Sequence, residues 1–596
     1  MTLRETLDFY LNDWLKVDDL TRRERFADHT RETFGAVLDT AERIANEKFA
    51  PFNRLSDTQE PRFDGERVHL PAATHEAALA YAASGLLAAS QNYDDGGMQL
   101  PYVVEMAANS FFSKASIALS GYGMLTAGNA NLLMAHGTPL QKQVFAANEF
   151  AGRWFGTMCL SEPQAGSSLG DILTRAVPDG DNFANDRLGS RYRLSGNKMW
   201  ISGGEHEITE NIVHLVLAKV PDSSGQLPAG TRGISLFIVP KMLVDADGKL
   251  TGEHNDVVLA GLNHKLGFRG TTNTLLNFGE GRFKPSGKAG AIGYRVGKEG
   301  EGLRCMFHMM NEARIGVGLG AVMLGIAGYE ASLDYARQRP QGRKVGDGST
   351  AQVPIIEHAD VKRMLLAQKS YAEGGLALAL YCARLVDEVH TAGGDKASEA
   401  KTVLELLTPI VKSWPSEWCL EANSLAIQVL GGYGYTRDFP VEQYWRDNRL
   451  NMIHEGTHGI QALDLLGRKV LADNGAGMRA LAQRVAETVG SASTIANLAS
   501  HGQTLLHAAQ KLEQATRAAW TNGAEAALAN ATPYLQAFGH VVVAWLWLDV
   551  NLNSNDPGRH AALRYFFEYE LPRIDAWLTP VAARNSLFRD VQENWL

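Results

Sequence analysis

Apolar positions recur at intervals of three and four along the first stretch of the chain, as in Val37, Leu38, Ala41 and Ile44, a spacing that lays one apolar stripe along a helix. Few strand patterns interrupt it, so residues 1–153 are expected to form an N-terminal helical domain. From Trp154 the texture changes to short β-rich runs bounded by Gly, Asp, Asn and Pro, among them Ile212 to Val220 and Ile234 to Val239. Turn formers at Pro178-Asp179-Gly180-Asp181-Asn182 and Ser195-Gly196-Asn197 read as hairpin connections, which predicts a central antiparallel β domain over residues 154–295. Helical spacing returns with Val361, Leu365 and Leu366, giving a C-terminal helical bundle over 296–471. The last stretch, 472–596, is rich in Ala and Leu and carries Trp545-Leu546-Trp547; it predicts an additional C-terminal helical domain. The fold class is therefore α+β multidomain, with Gly279 to Gly297 and Asn474 to Gly477 as the expected linkers.

Composition narrows the function more than the fold. At 596 residues the chain exceeds what one hydrophobic core holds. Hydrophobic residues at 45% and charged residues at 21% are the balance of a folded globular protein. A net charge of −9 offers no broad basic field, which argues against nucleic acid or an anionic membrane surface as partner. Cys159, Cys305, Cys382 and Cys419 lie far apart, so neither a disulfide framework nor a cysteine zinc site is indicated, and a cytoplasmic location fits. Met1 to Glu5 turns charged at once, without a signal-like apolar stretch. The uncharged run from Ile315 to Tyr329 is shorter than the roughly 20 residues a spanning helix needs, so a buried helix rather than a membrane span is expected there.

Three short segments carry candidate chemistry. In Met158-Cys159-Leu160-Ser161-Glu162-Pro163-Gln164-Ala165-Gly166-Ser167 the chain leaves a strand and turns, offering serine hydroxyls and open backbone at Gly166 to a flat or anionic ligand. Serines bonding their own turn would give the same pattern. In Lys198-Met199-Trp200-Ile201-Ser202-Gly203-Gly204 a large aromatic precedes a hydroxyl and two glycines, which suits a ring-shaped cofactor, although a hairpin with a core tryptophan also fits. In Asn451-Met452-Ile453-His454-Glu455-Gly456-Thr457-His458-Gly459-Ile460-Gln461 one carboxylate sits among apolar and glycine residues. Stripped of water it becomes a stronger base; the plain alternative is a glutamate placed at a helix start.

His454-Glu455-Gly456-Thr457-His458 also spells H-E-x-x-H, which on a helix sets two zinc ligands beside a catalytic glutamate. Gly456 weakens that helix from inside. The longer form of the motif would need glycine at position 461 and a ligand at 464, where the chain has Gln461 and Asp464. No metal site is assigned.

The three segments, in this order, resemble the motifs of the acyl-CoA dehydrogenase family, and the resemblance extends to Gln428-Val429-Leu430-Gly431-Gly432-Tyr433-Gly434-Tyr435 and to Arg446-Asp447. It covers roughly residues 30 to 470. The C-terminal extension, with Arg25 to Pro51, looks like the longer bacterial members, which include the 3-methylmercaptopropionyl-CoA dehydrogenases. The resemblance implies FAD as cofactor, an acyl-CoA as substrate, an electron-transferring flavoprotein as partner, and a homodimer or homotetramer. Flavin contacts are implied at Met158, Leu160, Ser161, Gly166, Ser167, Trp200, Ile201 and Ser202, with serine at 161 and 202 where threonine is commoner. Arg339 resembles the arginine that meets the FAD pyrophosphate, Gln428, Gly431 and Gly432 the stretch that reaches a neighbouring subunit's FAD, and Thr457 a further cofactor contact. Glu455 matches the catalytic base. Relatives that carry the base elsewhere place it immediately before the equivalent of Arg314, where this chain has Ala313, with Glu312 one residue further back. Arg314, Ser167 and Gly456 are the implied substrate contacts. His454 stands where tyrosine is frequent and His458 where a small polar residue is usual. An acyl-CoA oxidase on the same fold and a non-catalytic CoA-ester-binding protein are the competing readings.

Overall fold

The structure is a computed structural model that describes residues 2–344 and 351–596, with side chains placed outside 308–311. By chain contacts it divides into two compact units. One comprises Asp39–Leu100 and Phe111–Ala313, the other Met1–Leu38, Pro101–Ser110 and Arg314–Leu596.

The first unit is built on strands. Two short ones, β1 (Arg62–Phe63) and β2 (Val68–His69), form a hairpin of their own, and β8 (Met242–Val244) pairs only with β9 (Leu250–His254). The main sheet contains β3 (Trp154–Cys159), β4 (Arg175–Pro178), β5 (Arg191–Ser202), β6 (Asn211–Lys219), β7 (Ile234–Pro240), β10 (Val257–Leu262), β11 (Asn273–Phe278) and β12 (Ala291–Val296). Its order is β10-β11-β5-β12-β7-β6-β3, and β4 bridges β5 and β6, so hydrogen bonding closes a ring through β5, β12, β7, β6 and β4. Every residue of β6 and β7 is buried. Continuous apolar runs such as Ile212-Val213 and Ile234 to Val239 belong where a strand is covered on both faces. Two apolar clusters form the core, one around Trp154, Phe145 and Leu215, the other around Tyr192, Phe237 and Phe278.

Three expectations change here. The sheet is antiparallel at most pairs, but β3 runs parallel to β6, with Trp154 opposite Asn211 and Cys159 opposite Val216. The excursion through β4 and β5 that joins them has the length a parallel crossover needs, and no turn signal announces such a pairing. Ser195-Gly196-Asn197 is not a hairpin connection: β5 runs straight through it and changes partners there. Arg191 to Leu194 lie beside β12, and Gly196 to Ser202 beside β11. The segment Gly279 to Gly297 is not a bare linker either, since it contains β12.

The second unit is helical. Its framework is the Arg314 to Gln338 part of the helix Gly302–Gln338, with the helices Ala359–Thr391 and Gly394–Leu430. The 472–596 stretch adds the helices Ala476–Ala492, Ala499–Ala519, Ala531–Leu552 and Ile574–Ala583. Trp545 and Trp547 are core residues: the Trp545 indole N–H donates to Thr488 Oγ1 (2.9 Å), joining two of the last helices, and that of Trp547 donates to the Ser370 carbonyl (3.1 Å), tying them to the framework. Gly302–Gln338 and Ala531–Leu552 are each long and apolar enough to cross a membrane. Their apolar windows are 78% and 83% buried inside the protein, as core helices are. The sequence pattern singled out only the first of them, and at shorter length.

Candidate active site

Glu455 lies between the short helical turn Arg449–Met452 and the helix His458–Asp464, in a bend rather than a helix. Its φ is +53° and that of Gly456 is +92°, so two consecutive residues turn left-handed; glycine bears this freely and glutamate at a cost of order 1–3 kcal/mol. Buried side chains hold the turn. Gln461 Nε2 donates to the Glu455 carbonyl at 2.9 Å, and Lys412 Nζ donates to the Gly456 carbonyl at 2.6 Å. Thr457 caps the following helix, its hydroxyl accepting from the Ile460 N–H at 3.4 Å. Among the described residues the Glu455 carboxylate accepts no hydrogen bond and its N–H donates none.

Burial pushes the Glu455 carboxyl above the usual glutamate range, with the Arg314 guanidinium and the Lys412 ammonium pulling it back. Arg314 is only 5% exposed. It donates through Nη1 to Asp464 at 3.5 Å, and its buried Nε has no partner among the described residues. Its own pKa is lowered by burial, against the opposing pull of Asp464 and Glu455. Glu312 also has its carboxyl raised by burial, to about 7, with a hydrogen bond from Asn131 opposing. Two positions before Arg314 on one helix, it points away from the face Arg314 uses. The histidines of the H-E-x-x-H pattern turn to different partners: His454 to Asn451 Oδ1 at 3.0 Å and His458 to Glu417 at 3.4 Å. The left-handed backbone between them removes the paired helical face that a zinc pair requires.

A cavity of about 470 Å³ in the same unit is lined by Arg339, Gly431 and Gly432, together with Tyr335, Tyr433 and Thr436. The Arg339 guanidinium lies 5.7 Å from the Tyr433 ring centre. Gln428 stands exposed on the last turn of the helix Gly394–Leu430, its carbonyl accepting from the Gly431 N–H.

In the strand-built unit, the Ser161 segment leaves β3 and is stapled to the Trp200 segment of β5. The Met199 N–H donates to the Ser161 carbonyl at 3.0 Å, and Lys198 Nζ reaches the Leu160 carbonyl at 3.0 Å and Glu162 at 2.9 Å. Glu162 accepts from Gln164, the Leu173 N–H, the Thr174 N–H and hydroxyl, and Lys198. Burial raises its pKa, but Lys198 and these donors outweigh it and hold the carboxyl down to about 2. Trp200 has φ +66° and is 59% exposed, while Ile201 beside it is buried. The left-handed backbone is costly for a residue with a Cβ, and it holds a large ring out of the core. Ser161, Ser202, Met158 and Leu160 are partly exposed around it, and Gly166 and Ser167 are exposed.

The predicted residues thus fall into separate groups. Glu455, Gly456, Thr457 and Arg314 share one neighbourhood, Arg339, Gly431 and Gly432 line one cavity, and the Ser161 and Trp200 segments are joined to each other. Gly456 has a role of its own, because a Cβ there would meet Gln461 Nε2 at 2.5 Å. Asn451 and Gln461 lay inside the third segment but were given no role there, and Lys412 lay outside every motif. It comes from a helical stretch whose apolar spacing gives no sign that a polar residue turns inward toward a site.

The fold is that of solved acyl-CoA dehydrogenases. Caenorhabditis elegans ACDH-11, solved with C11-CoA, superimposes with a TM-score of 0.76 at 20% identity, covering 96% of this chain and 94% of that one. An acyl-CoA dehydrogenase from Bacillus anthracis complexed with FAD gives 0.73 at 18% identity, over 97% and 91%. Residues 300–471 match the family model "Acyl-CoA dehydrogenase, C-terminal domain", and residues 481–591 match "Acetyl-CoA dehydrogenase C-terminal like". The chain is 36% identical to 3-methylmercaptopropionyl-CoA dehydrogenase of Ruegeria pomeroyi, over 90% of this chain and 87% of the relative. It is 33% identical to the broad-specificity linear acyl-CoA dehydrogenase FadE5 of Mycobacterium tuberculosis, over 94% and 92%. The chain belongs to the acyl-CoA dehydrogenase family, FAD-dependent oxidoreductases that act on acyl-CoA thioesters.

Proposed function

We propose that Glu455 is the base that removes the α proton of the acyl-CoA, and that the Glu455 N–H donates to the thioester carbonyl as negative charge gathers there. A free carboxylate is far too weak for a carbon acid of this kind, so the enolate oxygen needs a fixed donor. The turn at Glu455 supports that division of labour: Gln461 and Lys412 occupy its two carbonyls, while the Glu455 N–H and carboxylate are left unengaged among the described residues. Burial makes the carboxylate more basic without a hydrogen bond that the proton would have to break.

The residues present fit FAD: an exposed ring at Trp200 on a left-handed backbone, partly exposed serines beside it, and a cavity with two glycines and an arginine at its wall. In this reading Ser161, Trp200, Ile201 and Ser202 hold the flavin ring, and Arg339 with the Gln428 to Gly432 segment holds the phosphate-bearing part, in a homodimer or homotetramer. Bound FAD supplies the acceptor for the β hydride, and the organic product is the trans-2-enoyl-CoA. Arg314 and Gly456 in the helical unit, and Ser167 in the strand-built one, are each read as substrate contacts on the strength of the family resemblance. An electron-transferring flavoprotein takes the electrons onward, in the cytoplasm, and the substrate is 3-methylmercaptopropionyl-CoA or a fatty acyl-CoA, as in the relatives that the chain resembles. Residues 472–596 stand as an added helical domain.

The test is Glu455→Gln. It is expected to retain FAD and bind acyl-CoA, yet bleach the flavin anaerobically at least about 100-fold more slowly than the wild type. Bleaching at the wild-type rate would reject Glu455 as the base. An anaerobic scan of acyl-CoA esters, methylthio substrate included, assigns the substrate by the fastest bleaching.

A further inference from the structure

The base turn depends on a residue that no motif contains. Lys412 sits within the helix Gly394–Leu430, wholly buried, and its ammonium reaches out of the helix to the Gly456 carbonyl at 2.6 Å. A buried lysine is expensive, and one hydrogen bond to a neutral carbonyl does not repay the desolvation of a full charge. Among the described residues the only anion acting on it is Glu455. Two features bring Lys412 and Arg314 to the same place. Pro415 lacks the N–H that would otherwise bond the Val411 carbonyl, and Gly318, one turn after Arg314, lets its helix come so close that a Cβ would lie 2.0 Å from that oxygen.

We propose that Lys412 is a positioning residue for the dehydrogenation: its ammonium clamps the Gly456 carbonyl, fixes the left-handed turn that presents Glu455, and keeps that carboxylate ionised at the moment it must accept a proton. This rests on the reading of Glu455 as the base. The charged groups acting on Glu455 are Lys412 from one helix and Arg314 from another, and Arg314 is itself offset by Asp464, which also holds Arg468 at 2.8 Å. Arg314 is thus partly neutralised by a carboxylate of its own, whereas Lys412 has no second anion among the described residues. Burial pulls the Lys412 ammonium down to about 7, with Glu455 pushing it back up, so its charge is held in the protein chiefly by the base.

The sign of the effect follows from the charges. A cation beside a carboxylate favours the ionised form and lowers its pKa. Loss of Lys412 therefore leaves Glu455 protonated to higher pH. The experiment measures the anaerobic bleaching rate against pH in wild type, Lys412→Met, Lys412→Gln and Lys412→Arg, each loaded with FAD, with Glu455→Gln as control. Lys412→Met and Lys412→Gln are expected to move the acid limb of the profile upward by about one pH unit or more, with a larger loss in kcat than change in KM, and Lys412→Arg to keep the wild-type limb. Gln keeps a donor for the Gly456 carbonyl, so if Met fails to fold the limb is read from Gln. An unmoved acid limb in the neutral variants overturns the proposal while Glu455→Gln stays silent. Wild-type bleaching in Glu455→Gln overturns the base reading instead.

Discussion

Two glutamates divide the work of this protein. Glu162, in the strand-built unit, is buried and accepts from Lys198 and from four further donors supplied by Gln164, Leu173 and Thr174. Glu455, in the helical unit, is desolvated too, yet accepts no hydrogen bond among the described residues and only feels two cations. Burial alone acts the same way on both carboxyls. The hydrogen bonds decide the outcome, driving one down to about 2 and leaving the other raised. A satisfied carboxylate is a staple, holding the Ser161 segment against Trp200; an unsatisfied one is poised to take a proton.

The comparison breaks first at Glu455. Glu455→Gln should cost the 10²- to 10⁴-fold typical of a lost general base, yet leave the thermal midpoint unchanged or higher, because no folded-state hydrogen bond to the carboxylate is lost. A midpoint that fell with the activity would make Glu455 structural. Lys198→Met should do the reverse, removing one partner of a buried pair and destabilising the protein by about 3–5 kcal/mol, read as a lower urea midpoint. Unfolding at the wild-type midpoint would show that the staple carries no load. Acid sharpens the same contrast. Glu162 is ionised in the fold well below its ordinary range, so its stabilisation is present above roughly pH 4.3 and is lost as pH falls toward about 2, and Glu162→Gln should lose that part of the acid dependence. Last, Trp200→Gly should relieve about 1–3 kcal/mol of backbone strain, leaving the FAD-free protein as stable or more so while weakening FAD retention. Retention equal to wild type would mean that the exposed ring does not hold the flavin.

What could be read from the sequence was what lies contiguous in it. The helical texture around Val37 and Val361 became the helices Arg31–Lys48 and Ala359–Thr391, and Ile212 to Val220 and Ile234 to Val239 became β6 and β7. Each site motif is a run of a few residues with glycines at its turns. Lys412 stood beyond that horizon because it comes from 43 residues before Glu455 and sits in a helix otherwise read as packing. The parallel β3 and β6 pair was hidden for a similar reason, since turn residues record local reversals and say nothing of strands joined by a long crossover. Lys198 and Glu162 lay inside the quoted motifs, but a buried ion pair between two strands leaves no mark in either segment alone.

The central claim is that the Glu455 carboxylate takes the α proton. Exchange of that hydrogen tests it most directly: FAD-loaded enzyme incubated anaerobically with acyl-CoA in deuterium oxide, with deuterium at the α carbon read by mass spectrometry. Wild type is expected to incorporate deuterium, and Glu455→Gln, with FAD and acyl-CoA bound, to incorporate none above the uncatalysed background. Incorporation by Glu455→Gln at the wild-type rate would contradict the account.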